Sequence, residues 1–526
     1  MEFVIITVIV FFIELAFLIG VVANRNDKKI IIVSPTWTRY EPTASFWMIE
    51  FCLYTVQDLM IAPVIKSVKI KGVDITGSLK GISEQIPINK VEGITKTQLA
   101  RWDELRRISY QNNLTDKEES EYQKLHKLIQ EGLKDGPKGV EIYMATDELP
   151  FDIVEGQTYP ISLEIYSEAE TYAFTTEVYV FSLPSHPNWN PAELHAHSNF
   201  SDGTKKLVEM RDIYKNKGYK ILYMTDHSNM LQKKGWSNYT KAVFEATPND
   251  LQGIKLYPGT ELTVKYKNPD SGDVQYGDLL AYGIKDLKGL ENRVHSPQVG
   301  INNILANNPD ISSPAIAHPY RITFSRLDWL VYKYRGFEVI SGIQMNFSDS
   351  ASPMIKWRSE LTRLLSDTFK HGYFASARTA GDYHARGETV KDYVTYLGTK
   401  SWSAKSSVDL SLYNGKTIAS RYGGLGYFEL IHGRTTTEIG DKLTGVAAGE
   451  TLILEFTFKP IKSGEYTITI YQDDKQEKIY TTSKSYNAGG TYTSRNDFVF
   501  PGGQHYYYLY ISGSDYVYSS PIFVSD

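Results

Sequence analysis

The spacing of apolar positions changes along the chain, and the predicted elements change with it. From Phe3 to Ala23 almost every residue is apolar, and Glu14 is the one charge. Such a run is long enough to span a bilayer. A carboxyl at mid-membrane costs roughly 2.5–3.5 kcal/mol, which the surrounding Ile, Phe, Leu and Val offset. Residues 1–27 therefore read as an export signal or a membrane anchor. Val21-Val-Ala23 suits cleavage. Arg25, Lys28 and Lys29 follow the run with no basic residue ahead of it, which favours a cytoplasmic C-terminal side. The β-rich stretches downstream favour an extracytoplasmic protein.

Residues 28–187 carry mostly the period of two expected of half-buried strands. Val64–Ile75 alternates, strands are read at Pro160–Tyr166 and Tyr172–Leu183, and Phe46–Tyr54 is apolar nearly throughout. The exception is about 96–135, where Leu99, Trp102, Leu105, Ile108, Tyr122, Leu125, Leu128 and Ile129 follow a helical period. Thr115 followed by Glu118 fits a capping box. This predicts a helical hairpin inserted into a β-sandwich-like domain. The proline-rich stretch Pro184–Pro191 closes it.

Residues 188–420 change character. Apolar runs at Ala192–Ser198, Lys220–Thr225, Lys255–Val264, Asp278–Ile284, Ser313–His318, Phe337–Ser341 and Tyr373–Thr379 alternate with amphipathic helical stretches. Such alternation predicts a parallel α/β sheet or a (β/α) barrel, whose site gathers at the C-terminal strand ends. Ser406–Tyr413 reads as a helix. Over 421–526 the alternation returns, at Thr451–Phe458, Tyr466–Tyr471 and Tyr506–Ile511, predicting a second β-sandwich-like domain. The expected fold is multidomain, an α/β barrel between two all-β domains.

Composition narrows the function. A chain of 526 residues is too long for one core. The net charge of −5 leaves no basic excess to neutralise phosphates, which argues against a nucleic-acid surface. The single cysteine, Cys52, lies in an apolar strand and reads as a small buried hydrophobe.

The chemistry sits at the predicted strand ends. Glu193-Leu-His-Ala-His-Ser-Asn-Phe-Ser-Asp-Gly203 places His195 and His197 on one face of a strand, half of a metal site. Asp202 follows on the turn, as a ligand or as a helix N-cap. Later runs carry Thr-Asp226-His227, Gly-Thr-Glu261, Gly277-Asp278, Ala-His318-Pro, Glu338 and Gly-Asp382-Tyr-His384. Five of the 11 histidines fall at these ends, a concentration that chance would not produce. Mixed histidine and carboxylate donors suit Zn, Mn or Fe, and Glu261 can bridge two ions. Asp226 and Glu338 read as groups that orient imidazoles, or as plain turn and strand residues. Arg321, Arg378 and Arg386 are either phosphate clamps or surface ion pairs. His126, His186, His295, His371, His432 and His505 match no motif and read as surface or loop residues.

In this order the five motifs resemble those of the PHP (polymerase and histidinol phosphatase) superfamily, over about residues 192–400. The resemblance implies a distorted (β/α)₇ barrel with a two- or three-metal centre. It implies that His195, His197, Glu261 and Asp382 hold a first ion, and that Glu261 bridges to a second with His318. His227, His384 and Asp202 would hold a third. Where the family usually has a histidine, this chain has Asp278, which can also ligate. Trp189-Asn-Pro-Ala-Glu-Leu-His, with the flanking β-domains, is similar to the carbaryl-hydrolase-like (CehA/McbA) branch. The resemblance implies a hydrolase without fixing the ester; an oxygen-rich multi-metal centre suits phosphoryl transfer, so a phosphoester is the first expectation, with Asp202, Glu261 and Arg321 as catalytic candidates. The alternatives are carboxyl-ester or carbamate hydrolysis on the same centre, and a non-catalytic envelope scaffold. The substrate expected is a small-molecule or polymer ester.

Overall fold

The computed structural model describes residues 30–33, 38–79, 86–110, 116–133, 138–168, 170–248, 253–267, 274–290, 296–319, 331–341, 353–385, 390–474 and 477–526. The apolar run Phe3–Ala23, Thr115 of the expected capping box, His295, Arg321 and Arg386 lie outside them. Among the described residues no helix is long and apolar enough to cross a membrane. Over the same described residues the fold is mixed α/β with five sheets.

Two of these sheets form the N-terminal part. One pairs Phe46–Thr55 with Ile31–Val33, Ile88–Lys90 and Gly139–Ala145. The other runs through Thr38–Tyr40, Glu170–Val180, Thr158–Ser167, Val64–Ile70 and Val73–Asp74. Thr158–Ser167 is exposed and buried in strict alternation, as one wet face and one dry face require. Phe46–Thr55 is buried on both faces, which is why it lacks alternation in the sequence. Its odd positions Trp47, Ile49, Phe51 and Leu53 join Ile161, Leu163 and Val178 between the sheets. Its even positions face outward. Cys52 and Tyr54 meet Leu99, Trp102, Leu105 and Ile129 of two helices, Lys96–Tyr110 and Asp116–Gly132. Met48 instead joins the core of the central part. The capping box that starts the first helix is Thr95 with Gln98: Gln98 N–H donates to Thr95 Oγ1 at 3.2 Å, and Thr95 N–H to Gln98 Oε1 at 2.8 Å.

The central strands fall into two sheets. Trp189–Ala196, Ile221–Met224 and Lys255–Pro258 run parallel, with Val394–Gly398 antiparallel on the outer side. Thr260–Lys267, Val274–Tyr282, Ser313–Ile316, Gly336–Ser341 and Ser376–Ala380 form the second. The single run expected over Lys255–Val264 is two strands, because the chain passes from one sheet to the other at Gly259. A Cβ there would lie 3.0 Å from Ala281 O, so only glycine makes the passage without displacement. Isolated bridges at Ala196–Tyr383 and His227–Glu261 tie the ends together. These are the ends that carry the candidate ligands.

The first central sheet does not stop at residue 420. Thr417–Ser420 pairs with Val394–Gly398 on one side and Val517–Ser519 on the other. The sheet then continues through Gln504–Gly513, Gly464–Gln472 and Glu477–Tyr486, reaching 11 strands. A four-stranded sheet of Thr435–Glu438, Leu425–His432, Thr451–Lys459 and Tyr492–Val499 belongs to the same C-terminal part. Phe428, Leu454, Ile468 and Leu509 share one continuous core with the central strands.

Candidate metal centre

His195 lies near the end of the Trp189–Ala196 strand and His197 just beyond it, so both rings project to one side. His195 Nδ1 donates to Glu338 Oε1 at 2.9 Å; a carboxylate only accepts, so in the neutral ring Nε2 carries the lone pair. That Nε2 stands 3.1 Å from His197 Nε2, 3.3 Å from Asp382 Oδ1 and 3.5 Å from Glu261 Oε2. His197 Nε2 is 3.3 Å from Glu261 Oε2 and 3.4 Å from Asp382 Oδ1. On the other side of Glu261, Oε1 lies 2.9 Å from His318 Nε2. A third group opens towards solvent: Asp202 Oδ2 is 3.6 Å from His227 Nε2 and 3.4 Å from His384 Nε2. His384 stacks on His197, with centroids 4.1 Å apart and planes 7° from parallel.

These donors form three groups able to hold an ion: His195, His197 and Asp382; His195, Glu261 and His318; His197, Asp202, His227 and His384. Donors with bonds of about 2.0–2.2 Å to a four-coordinate ion lie roughly 3.3–3.6 Å apart, close to the spacings found. Asp382 Oδ1 is buried and has no hydrogen-bond partner among the described residues, although two imidazole nitrogens face it. The residues fit a cation. Electrostatics agree. Burial opposes charge on Glu261 and Asp382, yet the surrounding imidazoles hold both carboxyls well below their usual range. Burial opposes charge on His195 too, and the carboxylates of Asp382, Glu261 and Glu338 override it and raise the imidazole. The same balance, led by Glu261 after burial, lifts His227 to about 9. The cluster is built to enclose positive charge.

Backbone strain accompanies the ligands. His318 and Asp382 have φ of 24° and 48°, and Ala385 has 54°, in the left-handed region that costs non-glycine residues roughly 1–3 kcal/mol each. All three are buried.

Some expected residues do other work. Asp278 Oδ2 is 3.8 Å from His318 Nε2, at the margin of the second group. Among the described residues Asp226 makes no direct hydrogen bond to an imidazole: it accepts from Ser198 N–H and Oγ at 2.8 Å each and from Ser201 Oγ at 2.6 Å, bracing the turn before Asp202. Arg378 is fully buried, donating to Ser313 Oγ at 2.8 Å and Leu412 O at 3.0 Å beneath the Tyr282 ring. It is a packing residue rather than a phosphate clamp. His126 is neither loop nor plain surface; it stacks on Trp102 and accepts the indole N–H at 3.3 Å.

Glu193 is a residue that motif reading passes over. Its Oε1 accepts from the backbone N–H groups of Leu194 and His195 at 2.9 Å each and of Gly381 at 3.1 Å, joining the strand of His195 to the loop of Asp382. Burial pushes its carboxyl up to about 8 against those three donors. The spacing Glu-x-His-x-His put it on the histidine face of the strand.

Residues 193–297 match the PHP domain. The PHP segment contains His195, His197, Asp202, His227, Glu261 and Asp278, with His318, Asp382 and His384 beyond it. A comparison with curated proteins finds no match. Among solved structures, the chain is similar to a two-domain protein from Bacteroides vulgatus containing a predicted PHP-like metal-dependent phosphoesterase, at 13% identity and TM-score 0.36, over 62% of this chain and 93% of that one. It is also similar to an amidohydrolase from Chromobacterium violaceum with bound sulfate and no metal, at 17% identity and TM-score 0.26, over 38% of this chain and 89% of that one.

Proposed function

We propose that this protein is a metal-dependent hydrolase that cleaves phosphoesters. One observation carries the reading: the two oxygens of Glu261 face different imidazole sets. Oε1 meets His318 at 2.9 Å, and Oε2 meets His197 and His227 at 3.3 Å each. A carboxylate so placed would bridge two cation sites once both are filled. Divalent ions bound there, two or three of Zn, Mn or Fe, would supply Lewis acidity and an activated water.

The chain's own groups set the rest. Glu338 fixes the tautomer of His195, and Glu193 fixes the distance between the two ligand segments. The deep groups are sealed, whereas the side chains of Asp202, His227 and His384 are 20%, 22% and 18% exposed. Substrate therefore meets the cluster from the Asp202 side. Asp202 is held between two imidazoles that overcome burial and keep its carboxyl well below the usual range, so it would serve as an anionic donor at the open side of the cluster. Arg321, three residues beyond His318, is assigned to the phosphoryl oxygens, which its guanidinium fork suits.

The test is metal content by mass spectrometry on the full chain, with hydrolysis of phosphomonoesters, phosphodiesters and carboxyl esters. Two or three ions and cleavage of a phosphoester are expected, and His195→Ala with His197→Ala should remove both while the strands remain folded. Undiminished hydrolysis in that double variant would refute the metal-centre mechanism, and cleavage of carboxyl esters alone would move the assignment to that class.

A further inference from the structure

Glu50 and Glu141 stand directly opposite each other on the antiparallel pair Phe46–Thr55 and Gly139–Ala145. Paired residues share a face, and like charges so placed repel. Each carboxylate has a partner in the central part. Glu50 is buried, and its Oε1 accepts from the Tyr383 hydroxyl at 2.8 Å. Glu141 Oε2 receives the ammonium of Lys205.

Both partners belong to segments that carry candidate ligands. Tyr383 stands between Asp382 and His384, and its carbonyl accepts the His197 N–H at 2.9 Å. Lys205 follows Thr204, whose N–H reaches His384 O at 3.0 Å and whose hydroxyl reaches Ala385 O at 2.6 Å. Asp382 and Ala385 are the left-handed residues of this loop. Such a conformation persists only where the surroundings over-determine it. One face of the N-terminal sheet supplies that support.

We propose that Glu50 is a positioning residue for the metal centre, acting through Tyr383, so that the N-terminal β-domain is a working part of the site. The consequence for activity rests on the hydrolase reading above; the contact does not.

Two readouts on the full chain test this. The first is backbone amide exchange in metal-free protein, at the N–H groups of His197, Thr204 and Asp382. Glu50→Ala and Tyr383→Phe should each speed it by about tenfold or more, with exchange in Phe46–Thr55 and Gly139–Ala145 unchanged. The second is Zn²⁺ affinity by chelator competition. Both variants should lose about tenfold, the double variant should lose no more than either single one, and Glu50→Gln, which keeps an acceptor oxygen, should stay within about twofold. Unchanged exchange in Glu50→Ala overturns the inference. So does faster exchange with wild-type Zn²⁺ affinity, which would make the contact structural only. A wild-type chain that takes up none of Zn²⁺, Mn²⁺ or Fe²⁺ would sink the hydrolase reading, and the exchange comparison would then decide the Glu50 contact by itself.

Discussion

Glu338 accepts the Nδ1–H of His195 with one oxygen and the backbone N–H of His318 with the other. One carboxylate thus orients the donors of two cation groups. Glu338→Ala frees the His195 ring and leaves the His318 N–H without its acceptor. Metal affinity should fall by about 10–100-fold, as for other groups that hold a ligand's second nitrogen. Chelator competition measures it, and wild-type affinity would contradict the role.

Glu261 and Asp278 should differ sharply. Glu261 touches donors of all three groups, whereas Asp278 Oδ2 stands 3.8 Å from His318 Nε2. Glu261→Ala is expected to lower the number of ions retained after gel filtration by at least one. Asp278→Ala should keep the wild-type number and lose less than about tenfold in affinity. Equal losses would mean that Asp278 ligates as strongly as Glu261.

Gly381 and Glu193 form a close-fitting pair. A Cβ on residue 381 would fall 2.5 Å from Glu193 Oε2, so Gly381→Ala should cost about 1–3 kcal/mol through overpacking. Glu193→Ala strands three buried N–H groups and should cost about 3 kcal/mol or more, while Glu193→Gln keeps the accepting oxygen and should cost about 1 kcal/mol or less. Because burial raises the Glu193 carboxyl to about 8 from 4.5, its contribution is complete below pH 4.5 and is lost as pH rises towards 8. Glu193→Gln should flatten that decline in denaturant titrations.

His126 gives the opposite pH dependence. Burial, then the charges of Arg106 and Lys391, lower its imidazole to about 4 from 6.5. The unfolded chain therefore binds the extra proton between those values. Stability is complete above pH 6.5 and falls as pH drops towards 4, by up to about 3 kcal/mol. His126→Leu should remove this loss. An unchanged pH profile of unfolding, followed by the fluorescence of Trp102, would count against the packing described.

The clustering of the candidate donors was legible because its rules are local. Alternate residues on a strand share a face, and strand ends face a common site, so His195, His197, Glu261, His318, Asp382 and His384 could be gathered from spacing and motif. Glu50 could not. It lies in an apolar run whose burial on both faces erases the alternation, and its partner Tyr383 is 333 positions away. Nor does alternation say which strand pairs with which, so the continuity of the first central sheet into the C-terminal strands left no trace in the pattern. The Thr95 and Gln98 capping box at the first helix is passed over because glutamine is a less conspicuous signal there than the acid of Glu118.

The pairing of Thr417–Ser420 with Val517–Ser519 makes the central and C-terminal parts thermodynamic neighbours rather than beads on a string. Cutting the chain after residue 420 would bare a row of amide and carbonyl groups and open a shared core, inviting edge-to-edge association. Calorimetry on the intact chain should accordingly show these two parts melting in a single cooperative transition, with no separate endotherm for the C-terminal strands.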